Sequence, residues 1–402
     1  MTLRGRVFVG AGALIALCGM ALGLHDLTRI GALLVVLLLL ASLLTRRPVS
    51  LEAGRSLSPA RVPIDGHADV TLTVRNTGRT TSPLLRAEEG LAYALGDRPH
   101  LLIPRLRRDE ERALHYRVRS HVRGHHTIGP LSVRVSDPFG LTTRSVAVPG
   151  HDALVVLPRT LPLLPVLGVP GGSGGESASS PRMALHGEDD FGVREYRIGD
   201  DLRRIHWRST ARTGETMVRQ DEEPTRRRAL VVLDDRACVH AGTGNGGSFE
   251  WSVTAAASIT ALLLGERFEV HLHLASDEGG RAVPLENLDL ALDRLAAVQP
   301  AERTSAQHMV EALEDFAQHG GGIVVCVIGA LTQEDAELCA ARAAHGLALV
   351  VDRGGFGSGS TDAADLTAQR LALGGWHSSV VHPGDQLPRL WEQLVVGRAA
   401  HR

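Results

Sequence analysis

The sequence predicts a multi-domain protein with three folded parts: an N-terminal transmembrane helical hairpin, a β-sandwich and a layered α/β domain built on a parallel sheet. Three observations predict it. The chain opens on two uncharged apolar runs, it alternates apolar and polar residues with period two from about 51 to 148, and from 229 onward short apolar strands alternate with helical patterns. Its 402 residues suit two or three domains. The expected boundaries are 1–48 for the hairpin, 49–160 for the sandwich, 161–186 for a linker, 187–228 for a densely charged segment and 229–402 for the α/β domain.

Composition excludes several function classes. The balance of 43 basic and 45 acidic residues leaves a net charge of −2, which argues against a general nucleic-acid coat. The chain has no lysine, so every basic residue is arginine. That removes the phosphate-loop lysine, the Schiff-base lysine and the kinase strand lysine together. The bland origin of such a bias is a GC-rich genome, and the chemical consequence is the same. Cys18, Cys238, Cys326 and Cys339 lie far apart without a C-x-x-C pair, which speaks against a disulfide scaffold and for a reducing compartment.

In the hairpin, Val7–Leu24 and Ile30–Leu44 carry no charge. At about 1.5 Å per residue the first spans roughly 27 Å and the second roughly 22 Å. The second lengthens to about 27–44 if Leu27 and Thr28 join it and Arg29 snorkels. His25-Asp26 is expected to form the turn between the two spans. A cleaved signal peptide fits less well, because a second apolar segment follows at once without a small-residue cleavage site. Arg4 and Arg6 precede the first span, Arg46 and Arg47 follow the second, and the connection holds only Arg29 against Asp26. The positive-inside rule then puts both termini and the soluble bulk in the cytoplasm of a two-helix membrane protein.

In the sandwich, Val70, Leu72 and Val74, then Leu114, Tyr116 and Val118, then Leu131, Val133 and Val135 mark inward faces. Turn signals fall at Asn76-Thr77-Gly78, Arg123-Gly124 and Asp137-Pro138-Phe139-Gly140. Nine arginines against three acids between Arg98 and Arg134 suit anionic lipid headgroups beside the spans. With only Tyr116 for stacking, the stretch does not suit nucleic acid. Gly168–Ser180 reads as a flexible linker. The G-x-S-x-G pattern inside it lacks the strand and helix a nucleophile elbow needs.

In the α/β domain, strands are expected at 229–233, 268–274, 323–328, 347–351 and 378–381. Helices are expected near 249–264, 285–298, 305–317, 333–344, 363–372 and 387–396. Sites in such Rossmann-like sheets form at the carboxyl ends of the strands. Gly242-x-Gly244-x-x-Gly247 fits the dinucleotide pattern in letters, but eight residues separate it from its strand and two of them are aspartates, so it reads as a loop. His271-x-His273 shares one strand face, and without a third ligand it reads as core or edge histidines.

The charged segment, Gly187–Glu223, holds seven arginines and ten acids. Asp200-Asp201 is expected to cap a helix starting at Leu202, with Arg204, Arg208 and Arg212 in an i, i+4 row. A solvated, ion-paired face is the plain reading of such a composition.

The run Arg194-Glu195-Tyr196-Arg197-Ile198-Gly199-Asp200-Asp201, followed by Arg203-Arg204-Ile205-His206-Trp207-Arg208-Ser209-Thr210-Ala211-Arg212, closely resembles the signature of the domain-of-unknown-function 58 family. The upstream Ser136-Asp137-Pro138-Phe139-Gly140-Leu141 and the two-helix anchor resemble that family too. The resemblance implies a von Willebrand factor A-like fold for the C-terminal part and a MoxR-type AAA+ ATPase as partner, and it implies no biochemical activity.

Such a fold raises the question of a magnesium site of the D-x-S-x-S kind. Here Asp234-Asp235-Arg236-Ala237-Cys238 follows the first strand, so Arg236 and Cys238 replace both serines. A guanidinium competes for the cation's place and sulfur is a poor donor to magnesium. Asp234 and Thr304 remain as candidate metal ligands of a degenerate site, the alternative being that Asp234 is held by backbone amides or an arginine. No cofactor is expected.

The expected role is therefore a non-enzymatic membrane scaffold or adaptor that docks its partner through the signature and the carboxyl edge of the sheet, with a homo-oligomer left open. Asp200, Asp201, Arg203 and Arg204 would supply ionic and capping contacts and Trp207 the apolar anchor. Two alternatives stay open. One is a hydrolase using Asp234 and Asp235, and the other is a purely structural signature that packs the soluble domains together.

Overall fold

In the computed structural model the described residues are 1–46, 48–166, 192–196, 205–220, 227–274, 276–277, 282–343, 346–357 and 362–400. They fall into two compact units, Met1–Arg159 with Leu292–Gln299, and Thr160–Ala291 with Pro300–Arg402.

The first unit opens on helices α1 (Leu3–Ala21) and α2 (His25–Thr45), both long and apolar enough to cross a membrane. Gly5, Gly12 and Gly19 recur every seven residues and are the buried positions of α1. A Cβ on Gly31 of α2 would meet Ala16 and the Gly12 carbonyl, so small residues set how closely the helices pack. The turn lies at 22–24, not at His25-Asp26 as the charges suggested. Gly23 takes a left-handed φ of 65° and Leu24 donates back to Gly19 at 2.9 Å. Asp26 instead sits in the first turn of α2, where the helix dipole favours it.

Nine strands follow among the described residues of this unit: β1 (Leu51–Ser58), β2 (Arg61–Pro63), β3 (His67–Asn76), β4 (Leu85–Leu91), β5 (His100–Ile103), β6 (Glu111–Arg119), β7 (Gly124–Ser136), β8 (Thr143–Val148) and β9 (Asp152–Leu157). One sheet has the order β1-β3-β6. The other runs β2-β9-β7-β4-β5, with β8 also on β7. The alternation works as expected: Val70, Leu72 and Val74 of β3 and Leu131, Val133 and Val135 of β7 are buried. Arg123-Gly124 is no turn, since Gly124 begins β7 and pairs with Val156. Between the sheets, Arg55 of β1 meets Glu89 of β4 with both side chains fully buried, its Nη2 2.8 Å and its Nε 3.2 Å from Glu89 Oε1. Arg55 Nη1 also donates to the Gly150 carbonyl at 3.1 Å.

The turn at Asp137-Pro138-Phe139-Gly140 does more than reverse the chain. Asp137 accepts from the Phe139 N–H at 2.7 Å and from both the N–H and the hydroxyl of Thr142. Burial opposes its charge, but those donors hold its carboxyl below the usual carboxylate range. The loop so shaped joins the open end of the hairpin. The Thr2 hydroxyl donates to the Gly140 carbonyl at 2.8 Å, and the Thr142 and Thr45 hydroxyls lie 3.0 Å apart. Leu141 packs with Leu38, Ala41, Phe8 and Val9.

The second unit carries a six-stranded sheet in the order β14-β13-β12-β15-β16-β17. Its strands are β12 (Arg228–Leu233), β13 (Glu269–Leu274), β14 (Val283–Leu285), β15 (Ile323–Ile328), β16 (Gly346–Val351) and β17 (His377–Val381). All pairs are parallel except β13 with β14. The helices α4 (Ser248–Gly265), α6 (Gln307–Gln318), α7 (Gln333–Arg342), α8 (Arg353–Phe356), α9 (Asp362–Leu373) and α10 (Leu387–Ala400) follow the expected segments, with the short α8 added, and so does α5 (Leu288–Ala297), whose residues from Leu292 on are counted with the first unit. Strands β15 and β16 are buried at every position, as in a parallel sheet covered on both faces. The sequence missed β14 because Pro284 sits in its middle, and an edge strand is where a proline is tolerated.

Residues 161–166 do not belong to a linker. The Leu161 N–H donates to Ser258 Oγ at 2.9 Å, the Val166 N–H to Glu266 at 3.1 Å, and Trp391 Nε1 to the Leu164 carbonyl at 2.8 Å. The rest of the expected linker, with its G-x-S-x-G pattern, lies outside the described residues.

Candidate functional site

Strands β12 and β15 are sequence neighbours of β13 and β16 on opposite sides, so the strand order reverses between them. That switch point is where sites form in open α/β sheets. The chain leaves β12 there at Asp234, Asp235 and Arg236, with both aspartates at 0% and Arg236 at 4% exposure.

Arg236 grips Asp234 with two bonds, Nε to Oδ1 at 2.8 Å and Nη2 to Oδ2 at 2.7 Å. Its Nη1 donates to the Thr304 carbonyl at 2.9 Å, and the Gly329 N–H donates to Asp234 Oδ2 at 3.2 Å. Burial opposes the guanidinium's charge, yet the Asp234 carboxylate outweighs it and raises the arginine above its ordinary value. The two candidate metal ligands, Asp234 and Thr304, therefore do come together, but around a guanidinium. Thr304 contributes its carbonyl to that cation. Among the described residues no group of three or more His, Cys, Asp or Glu side chains is placed to hold a metal ion.

Asp235 is also engaged: its Oδ1 accepts from the Ser276 N–H at 3.2 Å and its carbonyl from the Ala301 N–H at 2.6 Å. His240 bonds the Asp234 carbonyl at 2.6 Å and Ser248 Oγ at 3.2 Å. His273 is buried beside His308, with ring centroids 5.5 Å apart. His271 meets Glu269 at 3.2 Å and Arg228 at 3.1 Å, so the two strand histidines have different surroundings. The Gly242–Gly247 segment folds on itself: a Cβ on Gly242 would meet Gly247, and the Ser248 N–H at the start of α4 is taken by the Ala241 carbonyl at 2.9 Å.

Burial pushes the imidazoles of His240, His271 and His308 below their ordinary pKa. In the unfolded chain each binds a proton near about pH 6.5, which the native state refuses until lower pH. The unfolded state therefore binds more protons below that value. The contribution to stability is complete above about pH 6.5 and is lost as pH falls through the depressed native values. The melting temperature of the full chain is expected to drop between about pH 7.5 and pH 5. A flat profile across that interval would contradict the buried, neutral assignment.

The signature builds a separate ribbon within the same unit. Strands β10 (Gly192–Glu195) and β11 (Met217–Gln220) pair antiparallel, and Ile205 bridges Val218. Helix α3 (Trp207–Thr213) follows. The expected cap at Asp200-Asp201 and first turn at Leu202 lie outside the described residues. Ile205 still pairs with the ribbon and the His206 N–H donates to the Met217 carbonyl at 2.8 Å, so α3 begins at Trp207. His206 is the cap: its Nδ1 accepts from the Ser209 N–H at 3.2 Å. The Thr210 hydroxyl ties helix to strand by accepting from the Met217 N–H at 3.0 Å. Tyr196 donates its N–H to the Thr216 carbonyl at 2.8 Å. Glu195 raises the neighbouring Glu215 by hydrogen bonding and like charge. Trp207 stands 70% exposed, and Arg208, Ala211 and Arg212 are exposed on the same short helix. Arg194 lies on β10. Arg197, Gly199, Asp200, Asp201, Arg203 and Arg204 lie outside the described residues.

Residues 192–353 match the family described as "Protein of unknown function DUF58". The DUF58 match thus begins at β10, takes in α3, and ends past β16 and Asp352. The "Uncharacterized protein YeaD" of Bacillus subtilis (strain 168) is 25% identical over 336 residues, covering 76% of this chain and 82% of that protein. Among solved structures, the CARDB domain of the PF1109 protein from Pyrococcus furiosus, in complex with di-metal ions, is 17% identical with a TM-score of 0.21. It covers 28% of this chain and 92% of that one. The alkylpurine DNA glycosylase AlkC of Pseudomonas fluorescens is 11% identical with a TM-score of 0.19, over 32% of this chain and 38% of that one. Scores this low do not establish a shared fold.

Proposed function

We propose that this protein is a membrane-anchored scaffold or adaptor whose soluble units lie in the cytoplasm and whose DUF58 signature docks a partner. The observation that carries the reading is Trp207. A tryptophan left 70% exposed on a two-turn helix gains nothing from folding, whereas tryptophan and arginine are the usual anchors of protein interfaces. Its exposure also weighs against a signature that only packs domains together. The hydrolase alternative is weakened because both strand-end carboxylates are fully buried and engaged.

The partner we propose is a MoxR-type AAA+ ATPase, on the resemblance of the signature. The C-terminal domain is proposed to be von Willebrand factor A-like. Its sheet order corresponds to 3-2-1-4-5-6 in chain sequence with an antiparallel third strand, and its adhesion position is held by Arg236. Both termini are proposed to be cytoplasmic from the arginines that flank the hairpin.

The test is the affinity of a purified MoxR-type ATPase for the full chain in nanodiscs. Trp207→Ala is expected to weaken binding by about thirtyfold or more, in line with a hot spot of about 2 kcal/mol. The melting temperature should stay within a degree or two of wild type, as for surface substitutions of about ±0.5 kcal/mol. Unchanged affinity, or a large drop in melting temperature, would remove Trp207 as the anchor.

A further inference from the structure

The first unit holds a pocket of about 340 Å³ that the proposed role does not use. It is formed where the chain leaves α2, at Pro48, Val49 and Ser50, and is closed by the 78–83 loop, Arg105 and the start of the Asp137-Pro138 turn. Its size is that of a small-ligand site.

We infer that this pocket binds the phosphate of an anionic membrane lipid. Three observations carry the inference. The first is position: α2 ends at Thr45, and the Asp137–Thr142 loop that borders the pocket is bonded to both ends of the hairpin through Thr2 and Thr45. The pocket therefore opens at the level where headgroups lie when the hairpin spans a bilayer, a condition that rests on the membrane-anchor reading. The second is chemistry: Arg105 is exposed and forms no ion pair or hydrogen bond among the described residues, and the hydroxyls of Ser50, Thr80 and Thr81 are likewise unused. A guanidinium with several hydroxyls is a donor set for a phosphate. The third is the state of the one acid in the lining. Asp137 is buried with its oxygens taken by Phe139 and Thr142, so it does not present a free carboxylate to an anion. Val49, Val135 and the prolines supply an apolar wall for the glycerol end.

A soluble phosphate ester has the same chemistry, and the test separates the two sources. Full-length protein in detergent is offered an equimolar mixture of phosphatidylglycerol and phosphatidylcholine, and retained lipid is read by native mass spectrometry. Glycerol 1-phosphate serves as a soluble competitor. Liposome flotation of the same protein on phosphatidylcholine alone reports membrane anchoring separately.

Wild type is expected to retain phosphatidylglycerol in preference, and Arg105→Gln to lose about tenfold of that preference. Arg98→Gln, which removes an exposed arginine paired with Glu88 at the far end of the β4–β5 connection, should keep it. Equal retention of both lipids, or equal losses in the two variants, overturns the pocket while flotation leaves the anchor standing. Displacement by glycerol 1-phosphate without lipid preference overturns the lipid source. Failure to float overturns the anchor and the pocket together.

Discussion

Asp234→Ala costs the α/β unit about 3–5 kcal/mol, because it strands the buried guanidinium of Arg236 without its counter-charge. Arg236→Ala should cost a similar amount, since Asp234 then keeps only backbone donors: Gly329 at 3.2 Å and the N–H of residue 236 at 3.3 Å. Removing both together should cost clearly less than the sum, as expected for a pair that matters to itself more than to its surroundings. Denaturant unfolding of the three variants measures this, and strict additivity would show that the pair is not coupled. Loss of function in Asp234→Ala is therefore no sign of catalysis unless folded protein is compared with folded protein. A second arm concerns magnesium. The wild type should show no magnesium-dependent rise in melting temperature, because the cation's place is already filled. A rise would mean that the ion displaces Arg236 and that the site is a working one.

Arg55→Ala is expected to be as damaging to the sandwich, again about 3–5 kcal/mol. Arg55 and Glu89 are fully buried and join the two sheets, so the variant leaves a carboxylate in the core with no cation. Beside it, burial and the Glu89 charge already push the Tyr116 phenol well above its usual value. Arg55→Lys should not rescue fully. One ammonium cannot replace Nε and Nη2 on Glu89 while also reaching the Gly150 carbonyl. A double replacement by apolar residues of similar volume should be milder than either single change. Wild-type stability in Arg55→Ala, measured by thermal unfolding of the full chain, would contradict a buried and coupled pair.

What could be read in advance was whatever leaves a local period. The two apolar runs, the alternation in β3 and β7, and the helices of the α/β unit all repeat within a few residues. The Asp234–Arg236 pair was also legible, because the replacement of a serine by arginine two residues along already placed a cation against the carboxylate. The features that were missed join distant parts of the chain. Arg55 and Glu89 are 34 positions apart, and Thr2 meets Gly140 across 138. The start of α3 at Trp207 follows the Ile205–Val218 bridge, which no neighbouring residue announces. Strand β14 was hidden by its own proline.

The central claim is that the signature is a docking surface. The most direct test is a crosslinking pull-down from native membranes, comparing wild type with Arg203→Ala/Arg204→Ala at matched folded abundance. Wild type is expected to capture an AAA+ ATPase and the double variant to lose it. Equal capture of the ATPase by both proteins, or no partner that depends on the arginines, would contradict the docking role and leave the segment as an internal ion-pair network.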